Sequence, residues 1–292
     1  MVCNLCPRMC GAVRTADRGE GYCRMPEMPV LARAALHHWE EPPVSGTRGS
    51  GTVFFSGCSL GCVFCQNEEI SHRDFGTPVS VPRLGEICDE LIAQGAHNIN
   101  FVTPTHYAHV IGELLNSHPL GVPVVWNSGG YERVETIRAL EGRVQIYLPD
   151  LKYLDGQAAR RYSCAADYPQ AAQAAVREMV RQMGQYQLDE DGLLKKGVII
   201  RHLLLPGQLA GAKEVMDWVA REFEPGTVLF SLMSQYTPWG RANEFPEIDR
   251  RLRKSEIRAA QQYMDALGLE GFVQDGESAK REYTPDFDLT GI

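Results

Sequence analysis

Residues 57–67 read GCSLGCVFCQN and place three cysteines, Cys58, Cys62 and Cys65, in one short loop. Cysteine thiolates are typical ligands of zinc, copper(I) and iron–sulfur centres. A structural zinc site, or a cluster held entirely by protein, takes four such ligands. Three thiolates leave one coordination position open, and an open position indicates binding of a molecule that is not protein.

A zinc site is the alternative interpretation of this loop, because His72 lies near enough in sequence to serve as a fourth ligand. Structural zinc sites favour short C-x2-4-C pairs that are separated by a longer loop. The C-x3-C-x2-C spacing differs from that arrangement, so we favour the open site.

From Gly51 onward, short apolar runs alternate with helical patterns. The runs are rich in Val, Ile, Leu and Phe, as buried parallel strands are; they lie at 52–56, 98–103, 122–128, 144–151, 197–206 and 227–233. Helices are predicted over 82–94, 107–117 and 131–141, in a longer region that ends near 184, and over 209–223 and 254–267. Six β–α units in series predict a parallel sheet, either open and doubly wound or partly or fully closed into a barrel.

Polar residues collect where these predicted strands end, which is where parallel sheets carry their sites. They are Ser56 and Gly57, Thr103 to His106, Asn127 to Gly130, Asp150 and Lys152, Arg201 and His202, and Ser234 to Tyr236. The alternative for each is a polar side chain that merely satisfies its hydrogen bonds at a strand end.

The N-terminus carries a second group of thiols: Cys3, Cys6, Cys10 and Cys23. Four thiolates can close a site, so a structural zinc knuckle and an auxiliary [4Fe–4S] cluster are both consistent with them. We favour iron–sulfur, because the spacing is not two C-x2-C pairs. Unliganded reduced cysteines are the third option.

The chain divides into four predicted parts. Residues 1–30 form a Cys-rich metal-binding segment, and 31–50 form a linker or extended loop because Pro and Gly interrupt every possible element there. Residues 51–275 form the α/β domain, and 276–292 a C-terminal tail. Of the two remaining cysteines, we expect Cys88 to lie in the core and Cys164 to be structural.

The composition is that of an ordinary soluble protein of 292 residues, with 44% hydrophobic residues and a net charge of −8. The acidic balance argues against a general nucleic-acid binder. No apolar run is long enough for a transmembrane helix, and the N-terminus lacks the apolar stretch of an export signal. A cytoplasmic protein with reduced cysteines is expected.

The C-x3-C-x2-C loop after the first strand, with Phe64 before the third cysteine, resembles the radical S-adenosylmethionine (SAM) superfamily. The resemblance implies a six-unit (β/α)6 partial TIM barrel that follows a small Cys-rich segment. It also implies a [4Fe–4S] cluster on Cys58, Cys62 and Cys65, whose fourth iron binds SAM. Reductive cleavage of SAM would then give a 5′-deoxyadenosyl radical that abstracts hydrogen from a substrate, with reduced flavodoxin or ferredoxin as the electron donor.

Within that superfamily, CVFCQN, DLKY and RHLLLPG are similar in kind and order to the group of the pyruvate formate-lyase activating enzyme, particularly to its uncharacterised relatives with an N-terminal Cys cluster. The resemblance places several residues around SAM: Phe64 against the adenine, Asn127 and Ser128 at the ribose, Asp150 and Lys152 near polar groups, and Arg201 and His202 at the carboxylate or adenosyl end. The chain departs from the group at FVTPTHY, where a Gly-Gly-Glu-like run is usual. Thr103 or Thr105 is expected to contact the methionine amine there, and His106 to be catalytic or to touch substrate.

Three functions follow as hypotheses. The first is an activating-enzyme-like oxidoreductase that acts on a protein, such as a glycyl-radical enzyme. The second has the same chemistry on a small molecule or RNA. The third is a non-catalytic iron–sulfur electron-transfer or metal-binding protein. Formation of 5′-deoxyadenosine separates the first two from the third.

Overall fold

A computed structural model describes residues 2–274 and 285–292. Its strands are β1 (Val2–Cys3), β2 (Ala12–Val13), β3 (Val30–His37), β4 (Ser50–Phe55), β5 (Thr77–Pro78), β6 (Ile99–Val102), β7 (Val124–Ser128), β8 (Ile146–Pro149), β9 (Gln187–Leu188), β10 (Leu194–Leu203), β11 (Leu229–Met233) and β12 (Gly271–Gln274). Its α-helices are α1 (Pro42–Ser45), α2 (Glu68–His72), α3 (Val81–Ala93), α4 (Ala108–Ser117), α5 (Val134–Arg138), α6 (Gly156–Ser163), α7 (Tyr168–Met183), α8 (Leu209–Glu222) and α9 (Lys254–Leu267).

One large sheet organises the molecule, in the order β12-β11-β10-β8-β7-β6-β4-β3-β5. Neighbouring strands from β4 to β12 along this order are parallel, whereas β3 is antiparallel to both β4 and β5. The predicted mixed α/β architecture with a parallel sheet is therefore confirmed. Parallel pairing brings the carboxyl ends of these strands to one edge of the sheet.

The two faces of the sheet differ in what covers them. Because side chains alternate between faces, Phe55, Trp126 and Phe230 pack on the helix-covered face, in the main core. Residues one step along, Val125 and Ile199 among them, form a separate apolar cluster on the opposite face with Val44 of α1. Two residues further along, that second face becomes polar.

Those polar residues mark where the site lies. Asn127 follows Val125 on β7, Arg201 follows Ile199 on β10, and Asp150 follows β8 in a bridge with Arg201. Each is therefore on the face that α1 covers, toward the carboxyl ends of the strands. The apolar cluster around Val44 therefore packs on the same face, next to these polar residues.

The segment 31–50 differs from the predicted linker. It contains most of β3 and the short helix α1, and β3 pairs with β4 along its length. Pro42 starts α1 and Gly46 ends it, so these residues delimit short elements instead of excluding them.

Two helical predictions also shift. The helix expected over 131–141 is the shorter α5, and the long region that ends near 184 is two helices, α6 and α7. They separate at Cys164, whose φ of 55° is left-handed and ends α6. A further parallel strand, β12, extends the sheet beyond the six predicted units.

The predicted C-terminal tail, 276–292, lies partly outside the described residues. Its described part runs along β3, where the Ala34 amide donates to the Thr290 carbonyl at 2.8 Å. Phe287 meets Phe54 edge to face at 5.4 Å between ring centroids. The end of the chain thus covers the edge of β3. Across residues 2–274 and 285–292, no helix combines the length and the apolarity that a bilayer-spanning segment needs.

Candidate active site

The loop after β4 carries the three cysteines of the quoted stretch. Burial raises the pKa of all three thiols, and a charge on Cys62 adds to this effect on Cys58 and Cys65; the pKa of Cys65 is raised to about 11. The thiols are therefore close neighbours. Even so, in the described ranges no three Cys, His, Asp or Glu side chains stand in a ready metal-ligand arrangement.

A buried group of charges faces this loop from the ends of β8 and β10. Asp150 forms ion pairs with Lys152 and, at 2.9 Å, with Arg201. Burial by itself raises the pKa of Asp150, but the two cations outweigh it and the net pKa is lowered. Burial likewise opposes the charge on Lys152, and Asp150 and Cys62 reverse that effect, so the pKa of Lys152 is raised. The group stays ionised although it is buried.

Arg201 joins this group to two further elements. It donates to Asn127 Oδ1 at 2.7 Å and contacts Glu40 Oε2 at 3.4 Å. Asn127 in turn donates to Glu40 Oε1 at 3.2 Å. Glu41, almost fully buried, accepts from Gln274 Nε2 at 2.9 Å. The sequence did not predict Glu40 or Glu41 as site residues. The feature that could have indicated them is a pair of adjacent acidic residues directly before two prolines.

The turn after β7 brings the chain against Asp150. Gly130 has a φ of +75°, and a Cβ built on it would lie 2.0 Å from the Asp150 carbonyl oxygen. The Tyr168 hydroxyl spans this contact, because it donates to the Asp150 and Gly129 carbonyls and accepts from the Lys152 amide at 3.0 Å. The backbone that presents Asp150 and Lys152 is thus fixed from behind.

We expect Gly130→Ala to lower the free energy of unfolding by about 2–5 kcal/mol, because left-handed strain and overpacking add there. Gly112→Ala is the matched control. Gly112 lies inside α4 with nothing within 4 Å of a built Cβ, so alanine should stabilise by about 0.5–1 kcal/mol. Urea unfolding of both variants measures this, and equal effects would contradict it.

The end of β6 supplies the threonines expected near the methionine amine. Thr103 has a φ of 57°, an uncommon conformation for a β-branched residue, and its amide donates to the Asn127 carbonyl at 2.9 Å. A glycine, usual at this place in the group that the sequence resembles, would adopt it freely. Thr105 instead turns to Glu132, whose Oε1 it meets at 2.7 Å. Burial raises the pKa of Glu132, which the sequence analysis missed, to about 7.

The remaining predicted residues His202, Phe64 and His106 have different surroundings. His202 and Lys152 line a cavity of about 260 Å³ between the loops after β8 and β10, and His202 Nδ1 pairs with the Leu151 carbonyl at 2.8 Å. Phe64 is buried and meets Tyr236 edge to face. His106 pairs through Nε2 with the Ser56 carbonyl at 2.7 Å, and this contact does not join it to Asp150 or Arg201.

Two further predicted residues have local partners. Ser128 Oγ accepts from the Gly130 amide at 3.2 Å and belongs to the same turn. Burial lowers the pKa of His72, the alternative zinc ligand, and the nearby backbone of Cys62 opposes that shift. Cys88 lies in the core, as predicted.

The four N-terminal cysteines lie near one another. Burial, with charges on Cys23 and Cys3 acting in the same direction, raises the pKa of Cys6 to about 12. Cys10 and Cys3 act in the same direction on Cys23. Arg8, which lies between Cys6 and Cys10 in sequence, contacts the three-cysteine loop after β4.

Arg8 joins the N-terminal segment to the cysteine loop. Its Nε donates to the Ser59 carbonyl at 2.8 Å, and its Nη1 donates to the Cys164 carbonyl at 2.7 Å. The guanidinium also stacks on Tyr22, 3.9 Å from the ring centroid. The two groups of cysteines are therefore held side by side.

The donor set after β4 fits an iron–sulfur cluster that has one free iron. Three partly buried thiols of one loop are soft ligands, and the cation Lys152 lowers the pKa of each. Carboxylate, amide and guanidinium groups lie next to them and suit a polar, zwitterionic ligand.

Comparison with known proteins agrees with this geometry. A family model described as a 4Fe-4S single cluster domain matches residues 44–157, which contain the three cysteines and Asp150. The uncharacterized protein MJ0674 of Methanocaldococcus jannaschii is 31% identical over 277 residues, which cover 92% of this chain and 75% of that protein.

Solved structures share the fold at low identity. SuiB of Streptococcus suis bound to SAM has a TM-score of 0.51 at 13% identity over 77% of this chain, which spans half the length of SuiB. A radical SAM methyltransferase from Sphaerobacter thermophilus has a TM-score of 0.50 at 16% identity, and the match covers 77% of this chain and 66% of the methyltransferase. The FeFe-hydrogenase maturase HydG from Carboxydothermus hydrogenoformans has a TM-score of 0.51 at 12% identity, and the match covers 82% of this chain and 57% of HydG.

Proposed function

We infer the function of this chain from its family: it belongs to the radical S-adenosylmethionine superfamily and to the family of MJ0674. It is a 4Fe–4S iron–sulfur protein of that superfamily. We propose that Cys58, Cys62 and Cys65 hold three irons of the cluster and that SAM fills the fourth position. When bound, the reduced cluster supplies the electron that cleaves SAM to methionine and a 5′-deoxyadenosyl radical.

The observation that carries this proposal is the meeting of two unlike groups at one edge of the sheet. Three partly buried thiols lie beside an ionised network in which Arg201 contacts Asp150, Asn127 and Glu40. A closed structural metal site has no use for such a network. A zwitterionic cosubstrate does, because its amine and carboxylate need partners of both signs in a place with little water.

The chain's own residues then have separate tasks. Asp150 and Lys152 hold the polar groups of SAM, and their ion pair keeps both charged before SAM arrives. Arg201 and His202 bind its carboxylate or adenosyl end, while Asn127 and Ser128 face the ribose and Phe64 the adenine. Thr103 offers its carbonyl or hydroxyl to the methionine amine, and His106 is catalytic or touches the substrate.

We further propose a polypeptide as the substrate. SuiB, whose fold the chain shares, has been crystallised with the precursor peptide SuiA. An activating role toward a glycyl-radical enzyme is the narrower form of this proposal, with reduced flavodoxin or ferredoxin as the donor. Either form of the proposal requires an opening at the carboxyl ends of the strands that is wide enough to admit a peptide loop.

The test is anaerobic reconstitution with iron and sulfide, followed by dithionite and SAM. We expect 5′-deoxyadenosine and methionine in equal amounts, measured by liquid chromatography. A protein that takes up four irons after β4 and yet forms no 5′-deoxyadenosine would be an electron-transfer protein instead.

For the N-terminal segment we propose a second centre on Cys3, Cys6, Cys10 and Cys23. The triple variant Cys58→Ala/Cys62→Ala/Cys65→Ala should then still carry metal, because the two groups of thiols are separate. Metal analysis with absorption spectra identifies it: about four irons indicate an auxiliary cluster, and one zinc a structural knuckle.

The control for that result is Cys6→Ala added to the triple variant, which should release the metal. A triple variant that binds neither iron nor zinc would contradict the second centre. The four thiols would then be free for redox exchange.

A further inference from the structure

The middle cysteine of the loop has a hydroxyl partner that the sequence analysis did not single out. Cys62 Sγ lies 3.0 Å from Ser163 Oγ, and Ser163 Oγ lies 3.1 Å from the Tyr153 hydroxyl. Ser163 is fully buried and Tyr153 is 6% exposed. Three polar groups therefore form a chain inside the protein, where a hydrogen bond is stronger than in water.

The backbone fixes Cys62 opposite that serine. The amides on either side of Cys62, those of Gly61 and Val63, donate to the carbonyls of Ser163 at 3.1 Å and Tyr162 at 2.9 Å. These carbonyls belong to the last turn of α6, where helix carbonyls lack partners within the helix. The end of α6 thus holds the loop on both sides of Cys62 and sets the Ser163 hydroxyl against its sulfur.

The direction of both hydrogen bonds follows from ligation. A cysteine that ligates a cluster is a thiolate, which has no proton and can only accept. The Ser163 hydroxyl has one proton, so it must donate that proton to Cys62. Its oxygen is then available as an acceptor, and Tyr153 donates to it.

The other two cysteines have weaker arrangements of this kind. Cys58 Sγ accepts from the Leu60 amide at 3.4 Å, and Cys65 Sγ lies 3.7 Å from Ser71 Oγ. Among the three cysteines of the loop, and within the residues that the structure describes, only Cys62 has a hydroxyl partner that is itself hydrogen-bonded to a second hydroxyl.

We propose that Ser163 and Tyr153 form a hydroxyl relay that donates a hydrogen bond to the Cys62 sulfur and so raises the reduction potential of the cluster on Cys58, Cys62 and Cys65. This rests on the proposed function, since it needs the cluster. Hydrogen bonds to sulfur are among the factors that set the potentials of iron–sulfur clusters. A donor stabilises negative charge on the sulfur, and the reduced cluster carries more of it. Ser163 and Tyr153 are positioning residues: neither ligates iron.

The test is a redox titration of the reconstituted protein, followed by electron paramagnetic resonance. The signal that disappears in the triple variant lacking Cys58, Cys62 and Cys65 identifies the cluster to follow. We expect Ser163→Ala to keep its iron but to become harder to reduce. At a fixed potential its ratio of reduced to oxidised cluster should fall about tenfold, a shift of about 59 mV for one electron.

Three companion variants separate tuning from structure. Ser163→Thr keeps the hydroxyl and should return the potential toward that of the unmodified protein. Tyr153→Phe keeps the ring and should shift the potential in the same direction as Ser163→Ala, by less. Ser71→Ala, beside Cys65, should shift it less than Ser163→Ala.

An unchanged or more positive potential in Ser163→Ala with full iron would overturn the relay. A Ser71→Ala shift as large as that of Ser163→Ala would also overturn it. If Ser163→Ala loses its iron, Tyr153→Phe decides, since its ring still packs: an unchanged potential there overturns the proposal. Failure of the unmodified protein to hold a cluster after β4 is a different outcome, because it contradicts the proposed function itself.

Discussion

Cys58→Ala, Cys62→Ala and Cys65→Ala should each abolish reductive cleavage of SAM. Two thiolates cannot hold a cluster that has one free iron, so no partial activity should survive any single replacement. The measurement is 5′-deoxyadenosine after anaerobic reconstitution with dithionite, and we expect none above the level without protein. Iron content should fall in all three variants.

The matched control is Cys88→Ala, because Cys88 is also a free cysteine but lies buried on α3 in the helix-covered core. It should lose some stability, as a small cavity does, and keep its cleavage activity. Undiminished cleavage in any of the three loop variants would remove the assignment of the cluster to these cysteines.

The second large effect is expected at Asp150. Asp150→Asn keeps the shape of the side chain but removes the negative charge that Lys152 and Arg201 share. Loss of a charge-assisted contact costs about 1.5–3 kcal/mol, which weakens SAM binding about tenfold to about a hundredfold. Equilibrium binding of SAM to the reconstituted variant measures this, with iron content unchanged.

The same substitution has a structural consequence that must be measured beside it. It leaves two buried cations without their shared partner, and breaking a buried pair costs about 3–5 kcal/mol of stability. A variant with lower stability but unchanged SAM affinity would assign Asp150 to the structure alone. Glu222→Gln, which breaks the exposed Arg177–Glu222 pair, should change neither iron content nor SAM affinity.

Several features could be predicted from the sequence because they are local. A run such as VQIYLPDL shows its burial within a few residues, and C-x3-C-x2-C shows its ligand count within one loop. Since parallel strands end at one edge, the sequence also indicated that Asn127, Asp150 and Arg201 would share a place, and the structure puts them in contact. In the structure, by contrast, His106 pairs with the Ser56 carbonyl and not with these three residues.

Short segments between Pro and Gly were harder to predict. Residues 31–50 were expected to be a linker, yet β3 and α1 lie there, since an eight-residue strand and one helical turn leave almost no periodic pattern. Their place depends on a neighbour: β3 is held by β4, and α1 by the apolar cluster around Val44. Such elements are fixed by packing instead of by propensity.

The sequence by itself determined the parallel α/β architecture, the loop that holds three cysteines, and the strand ends at which polar residues collect. Only the tertiary structure decided which distant residues complete the site. Glu40 meets Arg201 across 161 positions of sequence, and Ser163 meets Cys62 across 101. The physical reason is that hydrogen bonds and ion pairs act over about 3 Å, so strand order and register, and no local pattern, choose the partners.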